Sequence, residues 1–130
     1  MSSFAVLVTA APFSAHGQQS ALNFCTAALA AGHSIEQIFF YQDGVYAGNR
    51  LTVPPGSEPD PGKQWQRLAE THSLELLVCV ASALRRGILD GEESRRHDIG
   101  ADNLRSGFQI SGLGQLTEQI ATSDRLMVFG

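Results

Sequence analysis

Leu74-Glu75-Leu76-Leu77-Val78-Cys79-Val80 is the stretch whose reading decides the fold. Leu76–Ala81 is the longest apolar run in the chain. It has the length of a strand and falls far short of the ~20 residues needed to span a bilayer. The stretch is apolar almost throughout and does not alternate. That is the pattern of a parallel-sheet strand covered on both faces. Ala81–Arg86 then reads as a short helix, closed by Gly87.

The same strand–helix alternation extends in both directions. Upstream, Phe4–Thr9 is a β-rich run and Ala10–Gly17 a loop with Pro12, Ser14 and Gly17. Gln18–Ala31 reads as a helix whose Ala21, Leu22, Cys25, Ala28 and Leu29 recur at helical spacing, with Gly32 placed to end it. Ile35–Tyr41 is a second strand, and Asp43-Gly44 signals a turn. Val45–Leu51 reads as either a short helix or an irregular segment. Four of the five prolines fall between Pro54 and Pro61, which marks a loop. Lys63–His72 regains helical spacing, with Trp65, Leu68 and Ala69 on one side. Downstream, Ile88–Gly107 is polar and reads as surface helix and loop. Phe108–Ser111 is a short strand, Leu113–Ser123 a helix with Leu113, Leu116 and Ile120 inward, and Arg125–Phe129 the last strand. Strands separated by helices imply right-handed crossovers and a mainly parallel five-stranded sheet between helix layers. This is a three-layer α/β domain of flavodoxin-like or Rossmann-like type, and such sheets gather chemistry beyond the carboxyl ends of their strands.

Bulk numbers bound the function. One domain over residues 1–130 is the expectation for this length. The 43% hydrophobic and 17% charged composition is globular. Nine basic against thirteen acidic residues give a net charge of −4. That balance disfavours nucleic-acid coating and membrane-surface binding. No Lys or Arg precedes Phe4–Val8, so the run reads as a strand and not as a secretory signal, and a cytoplasmic location is expected. Thiols stay reduced there.

Motif by motif, most chemistries drop out. Ala10–Gly17 lacks the Gly-x-Gly-x-x-Gly of dinucleotide sites, and no phosphate-cradling Gly-x-x-x-x-Gly-Lys-Ser is present. His16, His33, His72 and His97 have no partner at metal-ligand spacing. No Gly-x-Ser-x-Gly elbow exists. Asp90, Glu92 and Glu93 read as a solvated face. Ser111-Gly112-Leu113-Gly114 precedes a helix and has two readings, an anion site on the free N–H groups of the helix start and, the plainer one, a tight turn whose geometry demands glycine.

The two cysteines are too few for a disulfide scaffold or a zinc module. Cys25 lies on the buried face of its helix, where an apolar setting raises a thiol's pKa and leaves it inert. Cys79 lies near the carboxyl end of its strand, just before a helix. A helix N-terminus favours thiolate, the reactive species in sulfur exchange. Arg85 and Arg86 add positive potential or simply complement the helix C-terminus. Position alone leaves Cys79 open between core residue and reactive thiol.

Val78–Ile88 resembles the cysteine segment of the TusD/DsrE sulfurtransferase family. Phe39–Tyr46 resembles the family's second strand and turn, Ile110–Leu116 its Ser-Gly-Leu-Gly segment, and Asp124–Phe129 its final strand. The four segments agree in order and spacing along the whole chain. The resemblance implies a DsrE-like fold and an enzyme that passes persulfide sulfur, with Cys79 as the sulfur carrier and no cofactor or metal. It also implies TusB-like and TusC-like partners in a heterohexamer, a TusA-type donor and a TusE-type acceptor. The end product would be 2-thiouridine at the tRNA wobble position, with no direct nucleic-acid or membrane contact by this chain. Two other readings stand beside it. One is a DsrE subunit of a dissimilatory sulfur-oxidation complex. The other is a non-catalytic structural subunit.

Overall fold

The computed structural model describes residues 1–130. The strand read first, β3 (Glu75–Cys79), lies inside the sheet between β2 (Ser34–Phe40) and β4 (Phe108–Ser111). β1 (Ser3–Val8) and β5 (Arg125–Phe129) complete a five-stranded sheet in the order β4-β3-β2-β1-β5. Every pairing is parallel. Parallel neighbours need crossovers, which α1 (Gly17–Ala30), α2 (Pro61–His72), α3 (Val80–Arg85), α4 (Gly91–Arg96) and α5 (Leu113–Thr122) supply.

The order of strands fixes the layers. From β1 to β4 the chain steps steadily to one side, then jumps back across three strands to β5. Right-handed crossovers in opposite directions lie on opposite faces of a sheet. α1 and α2 therefore cover one face and α5 the other. The first face holds an eighteen-residue core that includes Val6, Ile38, Phe40, Leu76, Val78, Cys25 and Trp65. The second holds a cluster of only three buried residues, Phe39, Leu77 and Cys79, with Leu7, Tyr41 and Leu116 packed around it. Three against eighteen makes this the sparse face.

A bulge in β2 serves the main core. Phe4 pairs with Ile35 and Val6 with Ile38, so β2 fits one extra residue into that interval. The extra residue resets the alternation, and Ile35, Ile38 and Phe40 all reach the same side.

Several expectations change. Val45–Leu51 resolves into part of a 3₁₀ segment, Gln42–Gly48, with Val45 and Ala47 buried. Ile88–Gly107 is not all surface: Ile88, Glu93, Ser94 and Arg105 are buried. Polar side chains go inside there because each has a task. Glu93 holds Arg96 at 2.7 Å, the Ser94 hydroxyl accepts the Ala101 N–H at 3.1 Å, and Arg105 donates to the Asn49 carbonyl at 3.0 Å. The inward triad of α5 is also wrong in part. Leu113 and Ile120 are exposed, and only Leu116 reaches the small cluster. The helix has an apolar stripe, but the face beneath it offers few apolar partners.

Gln18 is the buried residue that composition would least suggest. It is fully buried. Its amide donates to the carbonyls of Ala10 (2.9 Å) and Gly44 (3.1 Å), and its oxygen accepts from the Trp65 indole N–H (2.9 Å). One side chain thus ties the loops after β1 and β2 to α2. At Gly44 a Cβ would collide with the Val8 carbonyl, so this tie needs glycine beside it.

Candidate functional site

Cys79 is the last residue of β3 and the N-cap of α3, with extended backbone (φ −62°, ψ 125°). Alternation along β3 sends Leu76 and Val78 to the main core and Leu77 and Cys79 to the sparse face. Across the β3–β4 ladder Cys79 stands opposite Ser111, the residue just before Gly112 and α5. The thiol is therefore placed where two strand ends and two helix starts meet. It is 1% exposed, covered by Phe39 and Leu77 with Leu7, Tyr41 and Leu116 outside them.

The helix after Cys79 starts at Val80, one residue earlier than expected, and has six residues. Its placement is fixed from the β2 side. The Gln42 N–H donates to Ser82 Oγ at 3.0 Å, and Ser82 is buried. Gln42 holds a left-handed backbone (φ 51°) to make that turn. Asp43 pairs with Arg86 Nε at 2.9 Å, and Arg86 Nη1 donates to the Ser82 carbonyl at 3.1 Å. Arg86 thus satisfies a last-turn carbonyl of α3, as the plain helix-end reading expects. Arg85 is exposed. Ser82 escaped the sequence reading. Its only signal was a polar residue among the apolar neighbours of a short helix.

Cys25 takes the other outcome. It is fully buried, in the main core with Ala21, Leu22 and Ala28. Burial pushes its thiol up from 9.0 to about 12. The histidines do not converge: no three His, Cys, Asp or Glu side chains gather closely enough to hold a metal ion. Ser111-Gly112-Leu113-Gly114 does make the strand–helix turn, but not for the expected reason. Neither Gly112 nor Gly114 has a positive φ, and a Cβ on either would meet nothing within 4 Å.

The crevice where ligands usually bind in such sheets, at the reversal of strand order, lies between β1 and β5. Here the loop after β1 bonds to the end of β5, with Thr9 N–H donating to the Phe129 carbonyl at 3.0 Å, and the start of α1 lies close against both. A Cβ on Gly17 would stand 2.5 Å from Ala10 Cβ and 2.7 Å from the Gly130 carbonyl oxygen. What the fold offers for chemistry is a thiol at a strand end.

A five-stranded parallel sheet between helix layers, with one cysteine at a carboxyl-end junction, defines the class of three-layer α/β proteins with a thiol at a strand end. Residues 2–129 match the DsrE/DsrF-like family, and the chain belongs to it. It is 43% identical over 129 residues to the sulfurtransferase TusD of Pectobacterium carotovorum, covering 99% of this chain and 100% of that protein. It is 45% identical over 127 residues to the putative sulfurtransferase DsrE of Allochromatium vinosum, covering 98% of each. By this kinship the chain is a sulfurtransferase. The crystal structure of the ychN protein from E. coli shares its fold, with a TM-score of 0.77 at 18% identity over 99% of this chain and 100% of that one.

Proposed function

We propose that residues 1–130 act as one sulfur-relay domain in which Cys79 carries persulfide sulfur. The observation that supports this most is the contrast between the two thiols in a sulfurtransferase family member. Cys25 is locked in the main core with its thiol raised to about 12. Cys79 sits at the junction of two strand ends on the sparse face. In the reaction, Cys79 thiolate attacks the terminal sulfur of a donor persulfide, R–S–SH. A new Cys79–S bond forms, the donor S–S bond breaks, and the donor leaves as thiolate. Cys79–S–SH then gives its outer sulfur to an acceptor thiolate by the same step. The sulfur keeps its oxidation state throughout, so no outside oxidant or reductant is needed. Rates in such exchange follow thiolate fraction and access.

Likeness to the TusD proteins supports a TusA-type donor, a TusE-type acceptor, TusB-like and TusC-like companion subunits in a heterohexamer, and 2-thiouridine at the tRNA wobble position as the end product. That setting would be cytoplasmic. No helix here is long and apolar enough to cross a membrane. The comparably similar DsrE relative supports a second reading, a subunit of a sulfur-oxidising complex using the same thiol. Incubation with a persulfide donor, then intact mass and peptide mapping, tests the shared step. One added sulfur on the Cys79 peptide, lost in Cys79→Ser, is the expected result. Sulfur uptake by Cys79→Ser, or modification of Cys25 alone, would sink it. Transfer from this chain to a TusE-type protein, against transfer into a sulfur-oxidising system, separates the two settings.

A further inference from the structure

A thiol that solvent barely reaches does not exchange sulfur as it stands. Cys79 is 1% exposed, so part of its cover must move for any persulfide to meet it. The parts of that cover differ sharply in how they are held. Phe39 and Leu77 belong to internal strands, hydrogen-bonded on both sides. α3 is fixed by the Gln42–Ser82 and Asp43–Arg86 contacts.

α5 has no comparable hold. None of its residues is buried. The side-chain hydrogen bonds of Thr117, Gln119 and Thr122 all end within the helix or on Ser123 next to it. No ion pair involves the helix. Leu116 is the one residue it sends into the Cys79 cluster. Its far end is tethered, because Asp124 bonds Ser3 in both directions, at 2.9 and 3.0 Å. Its near end starts at Gly112, which offers no side-chain cap. Gly112 and Gly114 meet no steric or dihedral demand. What glycine supplies there is backbone freedom, since it weakens a helix relative to alanine. Elements with few buried contacts open first in a folded protein.

We infer that the first turn of α5 is a hinged cover over Cys79, with Leu116 as the residue that controls access to the thiol and Gly112 and Gly114 as its soft hinge. The cover moves at Gly112 and Gly114 while the Asp124–Ser3 tether holds the far end of the helix in place, and it exposes the thiol to a small donor group without disturbing the main core. The inference takes Cys79 as the sulfur carrier, but its test reads access alone.

The test is the rate at which iodoacetamide labels Cys79, followed by peptide mapping, in wild type, Gly114→Ala and Leu116→Ala. Gly114→Ala fits in open space and should slow labelling about fivefold, the factor corresponding to the alanine–glycine difference in a helix. Leu116→Ala should speed it by a similar factor or more. Thermal melts show whether each variant is folded. The pH at half-maximal labelling should stay where it is in both, because access and not ionisation is altered. Unchanged rates in both variants, or rates explained by a moved pH midpoint, overturn the cover. Labelling that follows these expectations while Cys79 refuses sulfur from a persulfide donor would leave the cover standing and sink the sulfur-carrier reading.

Discussion

Cys25 and Cys79 have the same side chain, and their surroundings separate them. Cys25 is surrounded by Ala21, Leu22 and Ala28 in the main core, and burial alone raises its thiol to about 12. The raised value has a consequence for stability. Between pH 9.0 and about 12 the unfolded thiol is ionised while the folded one keeps its proton. The unfolded state then binds fewer protons, so stability falls as pH rises, by about 1.4 kcal/mol per pH unit from this group. Below the ordinary 9.0 its titration adds no pH dependence to stability. Cys25→Ala should therefore lose less stability than wild type across that alkaline window, although the small cavity lowers its stability at neutral pH. Urea melts at a series of pH values measure both; parallel pH curves for the two proteins would refute it. Gln18 makes a second prediction at this scale. Gln18→Leu keeps the volume but strands two carbonyls and the Trp65 N–H, all bonded at 2.9–3.1 Å in the native protein. The expected loss is about 2–4 kcal/mol in urea unfolding, from several unsatisfied buried groups.

At the scale of elements, α2 shows how one residue joins two pieces of the chain. Asp60 is its N-cap, accepting from the N–H groups of Gly62 and Lys63, with Pro61 in the first helical position. The same carboxylate stands 3.6 Å from Arg105 Nη2, both side chains nearly buried. The sequence reading began this helix at Lys63, two residues late, because it counted apolar spacing and not the cap and proline that open it. Asp60→Asn keeps the capping oxygen and removes the charge facing Arg105; Asp60→Ala removes both. The expected order of thermal stability is wild type, then Asn, then Ala, with the alanine loss about 3 kcal/mol from a lost cap and an unpaired buried charge. Equal melting temperatures for Asn and Ala would show that the cap contributes nothing. The strands were far more legible. Phe108–Ser111 and Arg125–Phe129 match residue for residue, and the others shift by a residue or so. Continuous apolar runs between turn residues are local facts. The burial of Gln18 was half legible, since Gln18, Ala21, Leu22 and Cys25 share one helical face. The exposure of Leu113 and Ile120 was not, because a helix's apolar stripe says nothing about how much the opposite face offers. The cysteine's strand-end position could be read from its segment; its burial depends on residues 37 positions away at Leu116.

The whole molecule is lopsided, and its two thiols report the two sides. The main face holds eighteen clustered residues and two helices of twelve and fourteen residues. The sparse face holds three, under a ten-residue helix with nothing buried. Trp65, the only tryptophan, is fully buried on the main side, edge-on to Phe40 at 5.3 Å, so its fluorescence reads the main core. Cys25 belongs to that same core, and Cys79 to the other side. If α5 opens locally, the surface exposed is small, and the denaturant dependence of that opening is correspondingly shallow. Labelling in graded urea should then split the thiols. Cys79 reacts at urea concentrations below the Trp65 transition, with a rate that rises gently. Cys25 stays unlabelled until the tryptophan signal changes, and then follows it. Labelling of both thiols only within the Trp65 transition would mean that the two faces unfold as one unit, and that the cover over Cys79 does not open on its own. A split places the moving part of the molecule on the face that carries the proposed chemistry, and leaves the sheet and main core to hold Cys79 still while its cover moves.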